Sequence, residues 1–269
     1  MIIQLLNGKK LDIADYSLKR LFHHIPSVSI SHNTEQVDGR DGLLFLETTF
    51  DGRVITVELL YESYDIYDYY LLRDEINALF THKESFYITF KNEPYKRYFV
   101  RLNQSFEVEP NQYMNSFTVE FTCVNVFAES IATTSSRKEW DIDVWAWNGQ
   151  ISWDDDLQYD FYSNSFSVYN IGTVDIDPRQ SELNITLTGN FSSQVMIKNE
   201  TTGDIYIYNG SLSQFEALTL AGIQSFKNGQ SVFRDTNKRV IRLASGENKF
   251  TITGGTVSSV NFDFRFLYL

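Results

Sequence analysis

The end of the chain alternates apolar and polar residues in a way that suits an extended strand. Large apolar residues occupy every second position: Val260, Phe262, Phe264, Phe266 and Tyr268. Asn261, Asp263 and Arg265 occupy the positions between them. Because successive side chains of a strand point to opposite faces, this pattern predicts a strand with one buried face. We expect two strands between Ala244 and Leu269, joined by a turn at Gly254-Gly255.

Composition favours a β-rich, soluble protein. Phe and Tyr number 21 and 16 among 269 residues, and both fit half-buried pleated surfaces. The length predicts about two domains. A single cysteine, Cys123, excludes an internal disulfide and is expected to be buried and inert. No apolar run reaches the roughly 20 residues that span a bilayer, and the N-terminal lysines follow their apolar segment, the reverse of a secretory signal. A protein made in the cytosol, with no membrane insertion, is expected.

Acidic residues outnumber basic ones, giving a net charge of −12. Affinity for nucleic acid comes mainly from clustered Lys and Arg, so sequence-specific nucleic acid binding is not expected. The charge suits a surface past which DNA slides, and it suits solubility equally well.

The first half predicts strands around one helix. An Asp51-Gly52 dipeptide between two apolar runs predicts a tight hairpin. Apolar residues at helical spacing predict a helix over about 66–80, with Tyr69, Leu72, Ile76, Leu79 and Phe80 buried. Further strands are predicted over 86–90, 97–102 and 117–123. This half is therefore α+β.

The second half lacks a helical period over any useful length. A polar stretch, IATTSSRKE over 131–139, marks the change in character. We predict domains at 1–133 and 140–269, joined by a linker at 134–139. Asn-Gly dipeptides at 148–149, 209–210 and 228–229 punctuate strand-like runs at the spacing of a β-sandwich.

Sites of chemistry are scarce in the sequence. His23, His24 and His32 lack a Cys, Asp or Glu partner at metal-ligand spacing. Asp154, Asp155 and Asp156 predict a turn more readily than a calcium site, because consecutive strand residues cannot all face one ion. Nucleophile elbows and phosphate loops do not occur. No catalytic, cofactor-binding or metal-binding residue is predicted, and the protein is not expected to be an enzyme.

Two tryptophans offer an alternative. Trp145 and Trp147 lie two positions apart and so share a strand face, as in the stacking platforms of sugar-binding sandwiches. A core or subunit contact is the commoner use of such a pair. A weaker alternative is a glycan hydrolase using carboxylates such as Asp154 and Asp177.

The segment VDGRDGLLFLETTFDGRVITVELL, residues 37–60, with a helix ending NALF and then KRYFVRL, resembles the distal tail protein family of long-tailed phages infecting Gram-positive bacteria. The matching G-R-D-G turn is Gly39, Arg40, Asp41 and Gly42. From Leu183 onward, ITLTG, VMIKNETTGDIYIYNG and GENKFTITGG resemble the second domain of that family. The order of these segments along the chain is the stronger part of the resemblance.

The resemblance implies a fold and a role. The first domain would be a split-barrel-like, tail-tube-like belt domain, and the second an all-β galectin-like or carbohydrate-module-like sandwich. The role would be a baseplate hub in the virion: a homohexameric ring, single or stacked as a dodecamer, through which DNA passes. Implied partners are the tail-tube protein, the tail-associated lysin or fibre protein, and receptor-binding or other baseplate proteins. Gly39, Arg40, Asp41 and Gly42 are the candidate subunit contacts. The alternative is a host-polysaccharide adhesin using Trp145 and Trp147.

Overall fold

The computed structural model describes residues 1–110, 114–136 and 157–269. The chain forms two compact units, one comprising Met1–Ala128 with Leu269 and the other Glu129–Tyr268. Strands dominate both, and one α-helix, α1 (Ile66–Phe80), occurs in the described residues. The expected β-rich fold with one helix is therefore confirmed. The division into functional domains with a linker at 134–139 stays a prediction.

The described residues of the first unit contain nine strands. They are β1 (Ile2–Gln4), β2 (Lys10–Asp12), β3 (Leu18–His24), β4 (Ser29–Glu35), β5 (Leu44–Asp51), β6 (Val54–Glu62), β7 (Phe86–Thr89), β8 (Lys96–Leu102) and β9 (Met114–Cys123). Seven of them follow the antiparallel order β2-β1-β7-β8-β9-β6-β3. The remaining two, β4 and β5, pair only with each other in the described residues and form a separate hairpin.

The helix α1 begins and packs as its sequence predicts. The Asp65 carboxylate accepts hydrogen bonds from the backbone N–H groups of Tyr67 and Asp68, which satisfies two donors that a helix start leaves open. The five residues predicted to be buried are all buried: Tyr69, Leu72, Ile76, Leu79 and Phe80. The helix therefore packs through one apolar stripe, as the spacing of its apolar residues indicates.

The predicted hairpin at Asp51-Gly52 is wrong. Strand β5 ends at Asp51 and pairs with β4, whereas β6 pairs with β3 on one side and β9 on the other. Both edges of β6 are thus occupied by strands distant in sequence. The predicted alternation in β6 is nevertheless confirmed, since Ile55, Val57 and Leu59 are buried.

The second unit is all-β apart from one short 3-10 turn in its described residues. Its strands are β10 (Ala128–Ser130), β11 (Asp160–Phe161), β12 (Ser165–Asn170), β13 (Leu183–Asn199), β14 (Ile205–Tyr208), β15 (Ala217–Ala221), β16 (Gln224–Lys227), β17 (Gln230–Ser231), β18 (Gly246–Phe264) and β19 (Leu267–Tyr268). The order is β11-β18-β13-β15-β16-β17, with β12 on β18 and β14 on β13. The turn between β16 and β17 is confirmed at Asn228-Gly229, whose φ angles of 50° and 79° suit a primed hairpin turn.

The predicted turn at Gly254-Gly255 is also wrong, because both glycines lie inside the single strand β18. They mark a corner where β18 and β13 change neighbours and their register shifts. A Cβ on Gly255 would lie 2.1 Å from the Asn190 carbonyl oxygen and 2.7 Å from Cδ1 of Phe191. Phe191 is buried. Glycine is required here so that the two backbones can approach across a buried ring.

We expect Gly255→Ala to lower the free energy of unfolding of the second unit by about 3 kcal/mol, because the added methyl group meets backbone and a packed ring. The matched control is Gly229→Ala, where φ is positive but no heavy atom lies within 4 Å of the added Cβ. It should cost only about 1–2 kcal/mol. Scanning calorimetry of both variants measures the difference, and equal losses would contradict the crowded corner.

Candidate protein interaction surface

The β4–β5 hairpin exposes large apolar side chains. Its strands pair from Ser29 opposite Asp51 to Glu35 opposite Leu44. Six apolar residues on it are between 42% and 63% exposed: Ile30, Val37, Leu43, Phe45, Leu46 and Phe50. An isolated two-stranded hairpin is marginal in water, and exposed apolar patches mark interaction sites. This surface is therefore a candidate site for contact with another protein surface.

A few contacts within the first unit order the hairpin. The Nδ1 atom of His32 lies 2.9 Å from the Thr48 hydroxyl, and the His32 ring meets the Phe45 ring edge-on at 5.6 Å. Near the base, the Phe50 ring meets Phe127 at 6.1 Å. These contacts fix one face of the hairpin yet leave Phe45 mostly in solvent.

The residues predicted to make subunit contacts lie in the turn that closes this hairpin. Gly39 and Gly42 have φ of 82° and 89°, the left-handed region that glycine adopts without strain. The N–H of Arg40 donates to the Val37 carbonyl at 3.1 Å. All four residues, Gly39 to Gly42, are exposed. The structure thus brings them together on an open surface, and their role in a contact stays a prediction.

Sequence reasoning missed the apolar sides of the hairpin. The signal was present in LLFL, residues 43–46, because four consecutive apolar residues cannot share one buried face of a strand. Leu43, Phe45 and Leu46 are exposed as a result. The period-two alternation instead indicated β6, which pairs with β3 and β9 of the same chain.

Arg53 anchors the base of the hairpin. Its side chain is buried, with 5% exposure; Nη1 donates to the Pro26 carbonyl at 3.3 Å, and the guanidinium lies 5.6 Å from the centre of the Tyr98 ring. Pro26 precedes β4 and Arg53 follows β5, so one side chain ties the two ends together. The Arg53 carbonyl accepts from Cys123 N–H at 2.9 Å. Cys123 is buried as predicted, and burial raises the pKa of its thiol.

Three of the four histidines make contacts within the first unit. His23 stacks on Phe90 at 4.2 Å, and burial, together with the nearby Arg20 guanidinium, lowers its pKa. His32 belongs to the hairpin. The ring of His82 lies 3.0 Å from the Leu79 carbonyl, at the end of α1 where the dipole is negative. The described residues hold no group of three or more metal-ligating side chains close enough to bind an ion.

The other predicted candidates lie elsewhere. Trp145, Trp147 and Asp154 to Asp156 fall outside the described residues, so the sugar platform and the calcium site stay untested. Asp177 pairs with Arg179 at 3.6 Å. No helix in the described part of the chain is long and apolar enough to cross a membrane.

A charged pair fixes two loops of the second unit. The side chain of Arg242 donates from Nε and Nη2 to both carboxylate oxygens of Asp204, at 2.9 Å each, and its backbone N–H adds a third bond. Partial burial acts to raise the pKa of Asp204, but these bonds outweigh burial and lower it. The carboxylate form is therefore favoured by folding.

Residues 7–123 match the family described as phage tail protein RIFT-related domain. Among solved structures, the Dit protein (gp 19.1) of phage SPP1 is similar in fold, with a TM-score of 0.69 at 15% identity over 98% of each chain. That protein is described as a paradigm of the hub adsorption apparatus in phages that infect Gram-positive bacteria. No curated protein matches the sequence. Residues 7–123 thus match a phage tail domain, the whole chain shares its fold with Dit, and the resemblance seen in its sequence is confirmed.

Two further structures were matched. Both are chains of the phage p2 baseplate in its activated conformation, with strontium or calcium. Identities are 10% and 11%, coverage is 98% of this chain and 96% of the other, and TM-scores are 0.40 and 0.41. Those scores are too low to support an argument about fold.

We expect Asp204→Asn to destabilise the second unit by roughly 1 kcal/mol at pH 7, because Arg242 is partly exposed and the pair is screened by water. A carboxylate whose pKa is lowered by folding stabilises the folded state at pH values above its unfolded pKa of about 3.9. That contribution is lost as the pH falls through the pKa of the carboxylate in the folded state. The variant and parent should therefore converge near pH 2. Urea unfolding at both pH values tests this, with the exposed Glu182→Gln as the control for lost charge. A constant difference at both pH values would contradict it.

Proposed function

We propose that this chain is a baseplate hub that assembles as a homohexameric ring at the tip of the phage tail. The first unit is the ring-forming belt, with the split-barrel-like form of tail-tube domains. The second is a galectin-like sandwich. The observation that carries the proposal is the β4–β5 hairpin, which sits in a phage tail domain and leaves its apolar sides open.

The hairpin supports self-association for energetic reasons. Burying apolar surface contributes about 25 cal/mol per Å² to the stability of a contact. A second copy that covers Phe45, Leu46 and Ile30 therefore stabilises the assembly relative to the free chain, in which these side chains stay in water. A hairpin that fits a different surface on its neighbour makes a head-to-tail contact, and such contacts close into rings when the rotation closes. A hexamer has that form.

The proposed ring has partners on each side. The tail-tube protein binds above, the tail-associated lysin or fibre protein binds below, and receptor-binding or other baseplate proteins attach to the second unit. DNA passes through the central channel. The net charge of −12 is compatible with such a channel, because few cationic groups retain the phosphates.

Mass measurement tests the assembly directly. Light scattering with size exclusion should give a particle of six or twelve copies of the 31.2 kDa chain. A chain that stays monomeric at high concentration would overturn the proposal, and catalytic turnover of cell-wall material by that monomer would replace it with an enzyme.

We expect Phe45→Ser to raise the dissociation constant of the ring at least about tenfold, because the exposed ring is an interface anchor rather than part of the subunit core. The control is Phe215→Ser, since Phe215 is 95% exposed on the second unit. That control should assemble as the parent does. Analytical ultracentrifugation measures both, with circular dichroism to show that each variant is folded. Equal weakening by the two changes would argue against a specific role for the hairpin.

Charge reversal at Arg40 tests the turn of the hairpin. If the turn lies in a subunit contact, Arg40→Glu should weaken ring formation in native mass spectrometry by bringing a carboxylate where a guanidinium docks. The exposed Arg179→Glu change on the second unit is the control. Assembly of the Arg40 variant as readily as the parent would remove the turn from the contact and leave the hairpin sides in place.

A further inference from the structure

The solvent side of α1 is apolar over its first half. Tyr67, Tyr70 and Leu71 lie at helical spacing and are exposed, and Tyr64 precedes them with its side chain almost wholly in solvent. We call Tyr64, Tyr67, Tyr70 and Leu71 the tyrosine face. Tyr70 meets the buried Tyr69 ring edge-on at 5.2 Å. The buried stripe of the helix lies away from Tyr64, Tyr67 and Leu71, so packing within the first unit does not explain those three residues. Tyrosine is among the residues enriched at interface anchors.

The tyrosine face is held in place and bordered by acid. The Arg73 guanidinium lies 5.3 Å from the centre of the Tyr70 ring, and the Asp68 carboxylate accepts from Tyr64 N–H at 2.7 Å. Carboxylates of Glu62, Asp65 and Asp68 surround the beginning of the helix, all on exposed residues. A surface that covers this face must supply an apolar slot with positive charge beside it.

Such a slot occurs where α1 ends. An open cleft of about 300 Å³ is lined by Leu5, Leu6, Asn7, His82, Lys83, Glu84 and Ser85. We call it the helix-end cleft. The turn between β1 and β2 forms one wall and is closed by hydrogen bonds from Leu5 N–H to the Lys9 carbonyl and from Gly8 N–H to the Leu5 carbonyl, both 2.9 Å.

The chemistry of the helix-end cleft suits a phenol. Leu5 and Leu6 offer apolar contact to a ring. The Asn7 Oδ1 atom accepts from Lys9 N–H and the Ser85 Oγ atom accepts from Arg101 Nε, so the Asn7 amide N–H groups and the Ser85 O–H group are the donors that a phenol hydroxyl would meet. Lys83 and Glu84 line the cleft, and Lys9 and Lys10 follow in the turn that forms its wall and at the start of β2; all four are exposed. The charges complement those around the tyrosine face.

We propose that the tyrosine face of one copy docks in the helix-end cleft of the next copy. A helix of fifteen residues is about 22 Å long, so face and cleft lie at opposite ends and one chain cannot fill its own cleft. The contact is head-to-tail, the kind that repeats around a ring. The inference rests on the proposed ring and adds a second contact to that of the β4–β5 hairpin.

Single substitutions test the two halves of the contact. Tyr67→Ala and Leu6→Ala should each raise the dissociation constant of the assembly at least about tenfold. The control is Tyr162→Ala, since Tyr162 and Tyr67 are 74% and 78% exposed, and it should leave assembly unchanged. If neither Tyr67→Ala nor Leu6→Ala shifts the constant beyond that control, the proposal is overturned.

Cross-linking tests whether face and cleft meet between copies. The pair Asn7→Cys with Tyr67→Cys should form an intermolecular disulfide under mild oxidation, seen as a ladder up to six chains on a denaturing gel, because a disulfide requires Cα atoms less than about 7 Å apart. Native Cys123 is buried and should not react. The control pair, Lys19→Cys with Tyr67→Cys, should stay uncross-linked. A product that stops at two chains, or a control ladder of equal yield, would overturn the head-to-tail contact.

The same experiments separate this inference from the proposed function. A parent that forms hexamers whose variants show neither weakening nor a ladder keeps the ring and removes this contact. A parent that is monomeric removes both. Protection of Tyr67 from labelling only in assembled tails, and not in the purified ring, would assign the tyrosine face to another tail protein and overturn the inference.

Discussion

A two-stranded hairpin cannot bury both of its own faces, and that constraint governs how the first unit can be used. β4 and β5 satisfy each other's backbone groups but have no third strand in the described residues. Ile30, Phe45 and Phe50 therefore remain partly in water unless another surface covers them. In the proposed ring, a neighbouring copy would cover these apolar residues, and the order of the hairpin would then depend on assembly.

The second unit has a different constraint, because its two longest strands must bend together. β13 and β18 run for 17 and 19 residues and exchange neighbours at one corner. The Asn164 side chain bridges this corner, donating to the Ile252 and Gly255 carbonyls and accepting from Val257 N–H. Glycine removes the steric barrier to close approach, and asparagine supplies the bonds that the shifted register leaves open. The corner is thereby fixed without help from another chain.

Sequence predicted the elements whose partners are local or whose pattern is complete. The helix α1 had a complete apolar stripe, and its bounds and buried residues agree with the prediction. The two errors, at Asp51-Gly52 and Gly254-Gly255, share a cause. A glycine after a strand predicts a turn, but pairing with strands distant in sequence decides the outcome. Strands β3 and β9 flank β6 after Gly52, and β13 pairs with β18 on both sides of Gly254-Gly255. For the candidate site, the turn residues Gly39 to Gly42 were found and the apolar hairpin sides were missed, because exposure is a property of the fold.

Arg53 links the core of the first unit to the presentation of the hairpin. A buried guanidinium is costly to desolvate, so its position beside Tyr98, with a bond to the Pro26 carbonyl, is explained better by geometry than by stability. Because it joins the chain before β4 to the chain after β5, it limits the directions in which the hairpin can leave the sheet. A preset direction reduces the conformational entropy lost when a neighbour docks. In the proposed ring, the cost of burying this charge would be offset by tighter binding between copies.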